Sequence, residues 1–311
     1  MTELLSRAAY ERAVHYLRHE ARPLEKALYE FHFENGSRTN VLAALVPYQN
    51  HDGGFGHALE PDMRAPASSV IATITALDVL RQIGADEDTP GLPAALAYLM
   101  DAYDVASERW PIVPPAVEDA PHAPWWTYAD AAENFRGFWA NPRAAVIGYL
   151  QQFNRLAPTE FLTGARRGVI DDLMRYSQHM EKHDLLSFID LLLTAELPRE
   201  DYEHVLDKLR RALPQSVALD PAEWDGYGLH PLDVLPTPTS PLAGVLDDEV
   251  IDAGLAYVIA RQGADGAWPP NWSWDFVDGD AWAAAEREWR GVLTLRHLLT
   301  LRAYGRIDGL D

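Results

Sequence analysis

The sequence predicts an all-α protein built from repeated helical hairpins. Three observations carry this. Apolar residues recur at helical spacing through most of the chain, as in Val70, Ile71, Ile74, Leu77, Leu80 and Ile83. Helix-like segments are of two kinds, one amphipathic and one apolar nearly all round. One short pattern occurs twice, as Gln49-Asn50-His51-Asp52-Gly53-Gly54-Phe55 and Gln262-Gly263-Ala264-Asp265-Gly266-Ala267-Trp268, each time after an apolar run. A fixed pattern recurring within one chain signals a repeat architecture.

In chain order, residues 3–20 and 22–34 form the first two predicted helices, with Asn35-Gly36 as the stop. Residues 38–50 lead into the first motif. A helix over 69–83 starts at Ser68 or Ser69 as N-cap and stops at Gly84. Segment 91–104 is helical, and 142–156 begins at Pro142, a residue suited to a first helical turn. Helices follow over 159–182, 184–196, 199–213, 248–262 and 285–304. Segment 199–213 is amphipathic, with Val205, Leu206 and Leu209 on one side and Glu203, Asp207 and Arg211 elsewhere. Segments 69–83, 142–156, 184–196 and 292–301 are apolar enough to be buried on all sides. Eleven or twelve helices make five or six hairpins; no partner for 199–213 is found in the sequence, 228–246 being the stretch left to hold one.

Both copies of the motif read Gln-x-x-Asp-Gly-small-aromatic. Gly53 and Gly266 supply the positive φ of a tight turn, and Gln49 and Gln262 are placed to cap carbonyls left open at a helix end. The pattern resembles the QW motif of the terpenoid cyclase and protein prenyltransferase superfamily. That resemblance implies an (α/α) toroid, with an inner helix ring inside an outer one, and a bracing role for the matched Gln and Asp-Gly residues. Alternating surface and buried helices fit two concentric rings.

The chain has 311 residues and no linker-like tract, so a single toroid domain over 1–311 is expected. No apolar run is long enough to span a membrane. The start, Met1-Thr2-Glu3-Leu4-Leu5-Ser6-Arg7, lacks the pattern of a signal peptide, which makes a cytoplasmic location the expectation. There is no cysteine, which excludes thiolate chemistry. The net charge of −21 argues against a nucleic-acid partner, which needs a basic face. The expected partner is a small molecule, apolar or carbohydrate. No metal or cofactor is predicted, and the oligomeric state is not legible.

Four long connections, 50–68, 105–141, 214–246 and 263–284, follow presumed outer helices. In a toroid they lie at one end. They hold nine of the ten tryptophans: Trp110, Trp125, Trp126, Trp139, Trp224, Trp268, Trp272, Trp274 and Trp282. These rings either line a pocket at that end or pin the loops to the barrel.

His57, Glu60 and Asp62 follow the first motif as His-x-x-Glu-x-Asp. They are candidates for acid–base chemistry, with Asp225 in the third connection as a further carboxylate. The competing reading has them fix the loop or pair with Arg64. Arg64, Trp125, Trp126, Arg143, Tyr227, His230, Asn271, Trp272 and Trp274 are the candidate substrate-binding residues. Arginines there serve an anionic ligand or a salt bridge, and the rings stack a sugar or stabilise a cation.

The resemblance implies an isoprenoid-like substrate converted by acid catalysis. The chain departs from the family in two ways. It lacks the cysteine of the prenyltransferase zinc site, and it lacks an Asp-x-Asp-Asp acid motif, to which only Asp278-Gly279-Asp280 comes near. A carbohydrate-active toroid and a non-catalytic binding or scaffold toroid are the alternatives, because fold alone does not fix function.

Overall fold

A computed structural model describes residues 3–194 and 196–310, and among them thirteen α-helices carry the fold. β-Structure among the described residues is confined to isolated bridges. No described helix is long and apolar enough to cross a membrane. Met1, Thr2, the Ala195 position of predicted segment 184–196, and Asp311 lie outside the described residues. Contacts divide the chain into two compact units, Leu45–Gln215 and Met1–Ala44 with Ser216–Asp311.

The helices of unit Leu45–Gln215 are α4 (Val70–Gln82), α5 (Leu92–Asp101), α6 (Ala131–Asn134), α7 (Arg143–Gln152), α8 (Thr159–Arg175), α9 (Lys182–Thr194) and α10 (Arg199–Ser216), whose last residue lies just past the unit boundary. The other unit holds α1 (Arg7–His19), α2 (Pro23–Phe33), most of α3 (Arg38–Leu45), α11 (Pro231–Val234), α12 (Asp248–Ala260) and α13 (Gly279–Ala303).

The division into surface and buried helices holds. Every residue of α7 from Arg143 to Gln151 is buried, whereas α10 buries one stripe, Val205, Leu206, Leu209, Ala212 and Leu213. α7 packs closely along α9, and also meets α4 and α8. Gly148 makes the closest approach possible. A Cβ there would stand 2.2 Å from Thr194 Oγ1 and 3.2 Å from the Leu191 Cα.

Several boundaries differ from the predicted ones, each for a local reason. α3 gives way at Leu45 to a 3₁₀ turn over Val46–Tyr48, because Pro47 cannot continue an α-helical ladder. α8 leaves helical geometry at Tyr176, well before 182. α13 starts at Gly279 rather than 285, because the Asp278 carboxylate accepts from the Ala281 N–H at 3.0 Å and so caps an earlier turn. Trp282, expected in a connection, is therefore inside α13. Connection 105–141 contains α6 and three 3₁₀ turns, and 228–246 contains α11.

The two motifs build the same structure in the two units. Gln49 Nε2 donates to the carbonyl oxygens of Gly53 and Gly91, both at 2.9 Å. Gln262 Nε2 donates to those of Gly266 and Ala9, again both at 2.9 Å. Gly91 immediately precedes α5, and Ala9 is in the first turn of α1. The expected caps on open carbonyls at the preceding helix end are thus replaced by ties to the start of another helix. Asp52 Oδ1 accepts from the Gly54 N–H at 3.0 Å, and Asp265 Oδ1 from the Ala267 N–H at 3.3 Å. The aromatic residue then donates its backbone N–H to a threonine: Phe55 to Thr73 on α4 at 3.0 Å, Trp268 to Thr294 on α13 at 3.2 Å. Both rings are buried to 2 % exposure.

Candidate functional site

A cavity lies in unit Leu45–Gln215, where the chain passes from connection 105–141 into α7. Trp110 starts it. Its indole Nε1 donates to the Leu99 carbonyl oxygen at the end of α5, and its ring packs on Tyr103 at 4.6 Å. The far end is held by Asp184, fully buried in the first turn of α9. Its carboxylate accepts from the N–H groups of Trp139 (2.8 Å), Ala140 (2.9 Å) and Asn141 (2.7 Å), and from the Tyr176 hydroxyl. The Tyr176 hydroxyl has its pKa pushed up, by burial and then by that hydrogen bond, so it stays a donor. One helical turn along, Ser187 Oγ accepts from the Ala145 N–H and donates to the Ala140 carbonyl oxygen. Side chains of α9 therefore set the backbone that enters α7.

Between these anchors is a cavity of about 250 Å³. Trp110, Phe135, Phe138 and Trp139 supply aromatic walls, with Ile112, Ala131, Ala132 and Pro142. Asn141, Arg109, Arg136 and Arg143 supply the polar groups, and no lining residue is a carboxylate. Arg143 is buried to 6 % exposure and is paired at 2.6 Å with Asp172 on α8, while its Nε has no hydrogen-bond partner. Gly168 on α8 gives the guanidinium room, since a Cβ there would stand 2.5 Å from Nη2. Arg109 is exposed and donates to the Phe138 carbonyl oxygen at 3.1 Å. Arg136 pairs with Glu133 at the surface.

Of the residues expected to carry chemistry or binding, Arg143 alone lies on this wall. Trp126 stands behind it, packing on Phe135 at 5.8 Å and on the Met63, Val113 and Val117 cluster. Trp125 is half-buried in the adjoining 3₁₀ turn. Connections 50–68 and 105–141 do meet. Met63 bridges to His122, the Ala123 N–H donates to the Asp62 carbonyl oxygen at 2.9 Å, and the Arg64 N–H to that of Pro121 at 3.2 Å. Asp62 is buried to 2 % exposure, Glu60 is half-buried, and Arg64 Nη1 donates to the Pro61 carbonyl oxygen. His57 is exposed, adopts φ 55° and shares a hydrogen bond with Asn50 at 2.9 Å. None of His57, Glu60, Asp62 or Arg64 lines the cavity.

In the other unit, connections 214–246 and 263–284 meet where Asn271 Nδ2 donates to the Gly226 carbonyl oxygen at 2.7 Å, and where the Tyr227 and Trp272 rings lie 6.3 Å apart. Asp225 is exposed, pairs with Arg261 at 3.1 Å and accepts from the Tyr257 hydroxyl at 3.0 Å. His230 caps α11, its Nδ1 accepting from the Leu232 N–H. Trp274 is fully buried against Trp282, a core position that does not suit a ligand wall. Trp224 and Trp268 are likewise pins, donating to the Ala218 and Val258 carbonyl oxygens.

Sequence reasoning passed over Arg109, Phe135, Arg136 and Phe138. The usable signal was three arginines among seven large rings within 109–143.

His297 on α13 also escaped notice. Its ring packs 5.5 Å from Trp268, and burial, with the positive charges of Arg296 and His230, pushes its pKa down to about 3. The folded state therefore binds fewer protons here than the unfolded chain, so stability present above the ordinary pKa is lost as pH falls. Between pH 7 and 5 the expected loss from this group is about 1–2 kcal/mol. Urea midpoints of wild type and His297→Gln at both pH values test this. An equal acid-side loss in the two proteins would assign it to other groups.

No protein-family model, no curated protein and no solved structure matches the chain.

Proposed function

We propose that the chain is a binding protein for a small molecule with an apolar or aromatic body, seated between Trp110, Phe135, Phe138 and Trp139. The observation that carries this is the cavity of about 250 Å³ with aromatic walls and convergent polar groups at its α7 end. Such a pocket is where a ligand is first sought. Its volume lies below the ~300–1,000 Å³ of pockets for drug-sized ligands, so a short isoprenoid or a single-ring compound suits it better than an oligosaccharide. An acid-catalysed cyclisation needs a carboxyl at the reacting centre, and a glycosidase needs two. The lining has none. Binding without turnover is therefore the reading we adopt from the three classes.

We read each unit as built of the outer–inner hairpins that a toroid repeats, α1–α2 and α12–α13 in one and α5–α7 and α8–α9 in the other. What supports this is the equivalence of the two motifs. The first ties α4 to the start of α5, its chain successor. The second ties α13 to the start of α1, as though the chain continued around a ring.

The test is binding of the dye N-phenyl-1-naphthylamine, whose emission rises in apolar pockets, to wild type and to Ala132→Trp. Ala132 is exposed and lines the cavity, so the indole should fill it while leaving the core intact. Saturable binding that falls at least tenfold in the variant is expected. Equal binding in both proteins would remove the reading.

A further inference from the structure

We infer that the cavity's ligand carries an oxyanion, carboxylate or phosphate, at the end that meets Arg143, with Arg109 as its second contact. The inference rests on the cavity reading above and specifies the ligand class.

Charge gives the first argument. Across the chain acids exceed bases 47 to 26, yet the wall of this cavity holds three arginines and no acid. A chance sample of this sequence would give the opposite sign. Carboxylates do stand behind the wall, Asp172 at Arg143, Glu133 at Arg136 and Asp184 on the N–H groups of Trp139 and Asn141. None pairs with Arg109, whose hydrogen bond is to the neutral Phe138 carbonyl oxygen at 3.1 Å.

Arg143 gives the second argument. A buried guanidinium is stable only when its donors are satisfied. Asp172 takes Nη1, but Nε is buried with no partner, and Arg143 is only 6 % exposed. An orphan donor on a buried cation is a cost that an acceptor able to reach it would remove, and Arg143 lines the cavity. The fold also keeps this group in place. Asp172 grips one edge of the guanidinium and Gly168 leaves space beside Nη2.

Placement gives the third. Arg143 opens α7, a ten-residue helix, and Asn141, Pro142 and Arg143 of its entry line the cavity. The helix dipole adds positive potential at that end, offset by the Asp184 carboxylate on the Trp139, Ala140 and Asn141 N–H groups. The arginines and the helix entry thus share one cavity with the rings. A ligand with an anionic end and an aromatic or apolar body satisfies both.

Calorimetric titration of wild type with phenyl phosphate, benzoate and benzyl alcohol tests this, since the three share a ring and differ in the polar end. The two anions should bind about tenfold or more tightly than the alcohol, and their affinity ratio identifies the preferred oxyanion. Arg109→Gln, a change at an exposed residue, should weaken both anions about tenfold and leave the alcohol unchanged. Gly168→Ala, which pushes on the Arg143 guanidinium, should weaken the anions more than the alcohol. Anion and alcohol affinities that are equal in wild type would overturn the oxyanion assignment and leave the apolar cavity standing. No binding of any of the three would overturn both. Anions that still bind Ala132→Trp at full affinity would place their site elsewhere and overturn it too.

Discussion

Gly53→Ala and Gly266→Ala are each expected to destabilise the protein by about 3–5 kcal/mol, among the largest effects of any single methyl group added to this chain. Both glycines adopt positive φ, 89° and 92°, where an alanine is strained. The added Cβ would also have nowhere to go. It would stand 2.3 Å from the Ala94 carbonyl oxygen at Gly53, and 2.3 Å from the Arg12 carbonyl carbon at Gly266. These obstacles are helix backbone, which cannot step aside as a side chain can. The neighbouring acids make the comparison. Asp52→Ala loses its bonds from the Gly54 N–H and the Ser68 hydroxyl, and Asp265→Ala loses its bond from the Ala267 N–H and its ion pair with Arg290; each is expected to cost about 1–2 kcal/mol. Urea unfolding of the four variants would order them. A glycine variant no less stable than its aspartate neighbour would show that the turn is not braced by the helix beneath it.

The second large effect is expected at Asp184. Asp184→Ala leaves three backbone N–H groups and the Tyr176 hydroxyl without their acceptor in a buried setting. Buried unsatisfied donors cost about 1–3 kcal/mol apiece, with relief from rearrangement, so about 3–5 kcal/mol is expected. Asp184→Asn should recover only part, because its single amide oxygen replaces two acceptors and its NH₂ would face donors. The loss should also reach the cavity, whose wall from Phe138 to Arg143 is set by these bonds. Ligand affinity should fall in proportion more than at any other site outside the lining. A midpoint within experimental error of wild type would mean that water replaces the carboxylate without cost.

The helices and the two turns were legible because their signals are local. Periodicity, Asp-Gly and an N-cap need only their neighbours in sequence. The cavity was not, because its frame comes from Asp184, which sits 43 residues beyond the Asn141 N–H it holds. In sequence, Asp184 opens an otherwise apolar segment, and nothing nearby says that it is an acceptor for a distant loop. The tryptophans misled for a related reason. An indole has both a large apolar body and one donor, so it suits a ligand wall and a loop anchor equally well. Trp224 and Trp268 donate to carbonyl oxygens and are buried, and Trp110 does the same while also lining the cavity. Composition could not separate them from Trp139, which is 47 % exposed and lines the cavity. The weight given to His57, Glu60 and Asp62 came from their following a conspicuous turn. His57 lies within that turn's own left-handed backbone.

The tie between Gln262 and Ala9 spans 253 positions of the chain, and Leu5 bridges to Ile307 beside it. This has a consequence for the order of events during synthesis. α1 and α2 leave the ribosome well before their packing partner α13. Until then α1 and α2 hold unburied Ala13, Tyr16, Leu17 and Leu28, which are core residues in the finished fold. The segment Leu45–Gln215 has no such wait, since its helices all lie within one stretch of chain. Its helices can therefore pack while α12 and α13 are still untranslated. A long loop closed at the end costs little extra entropy per added residue, but it delays the contact that closes it. Nascent chains halted before residue 262 should accordingly bind hydrophobic-surface chaperones through α1 and α2.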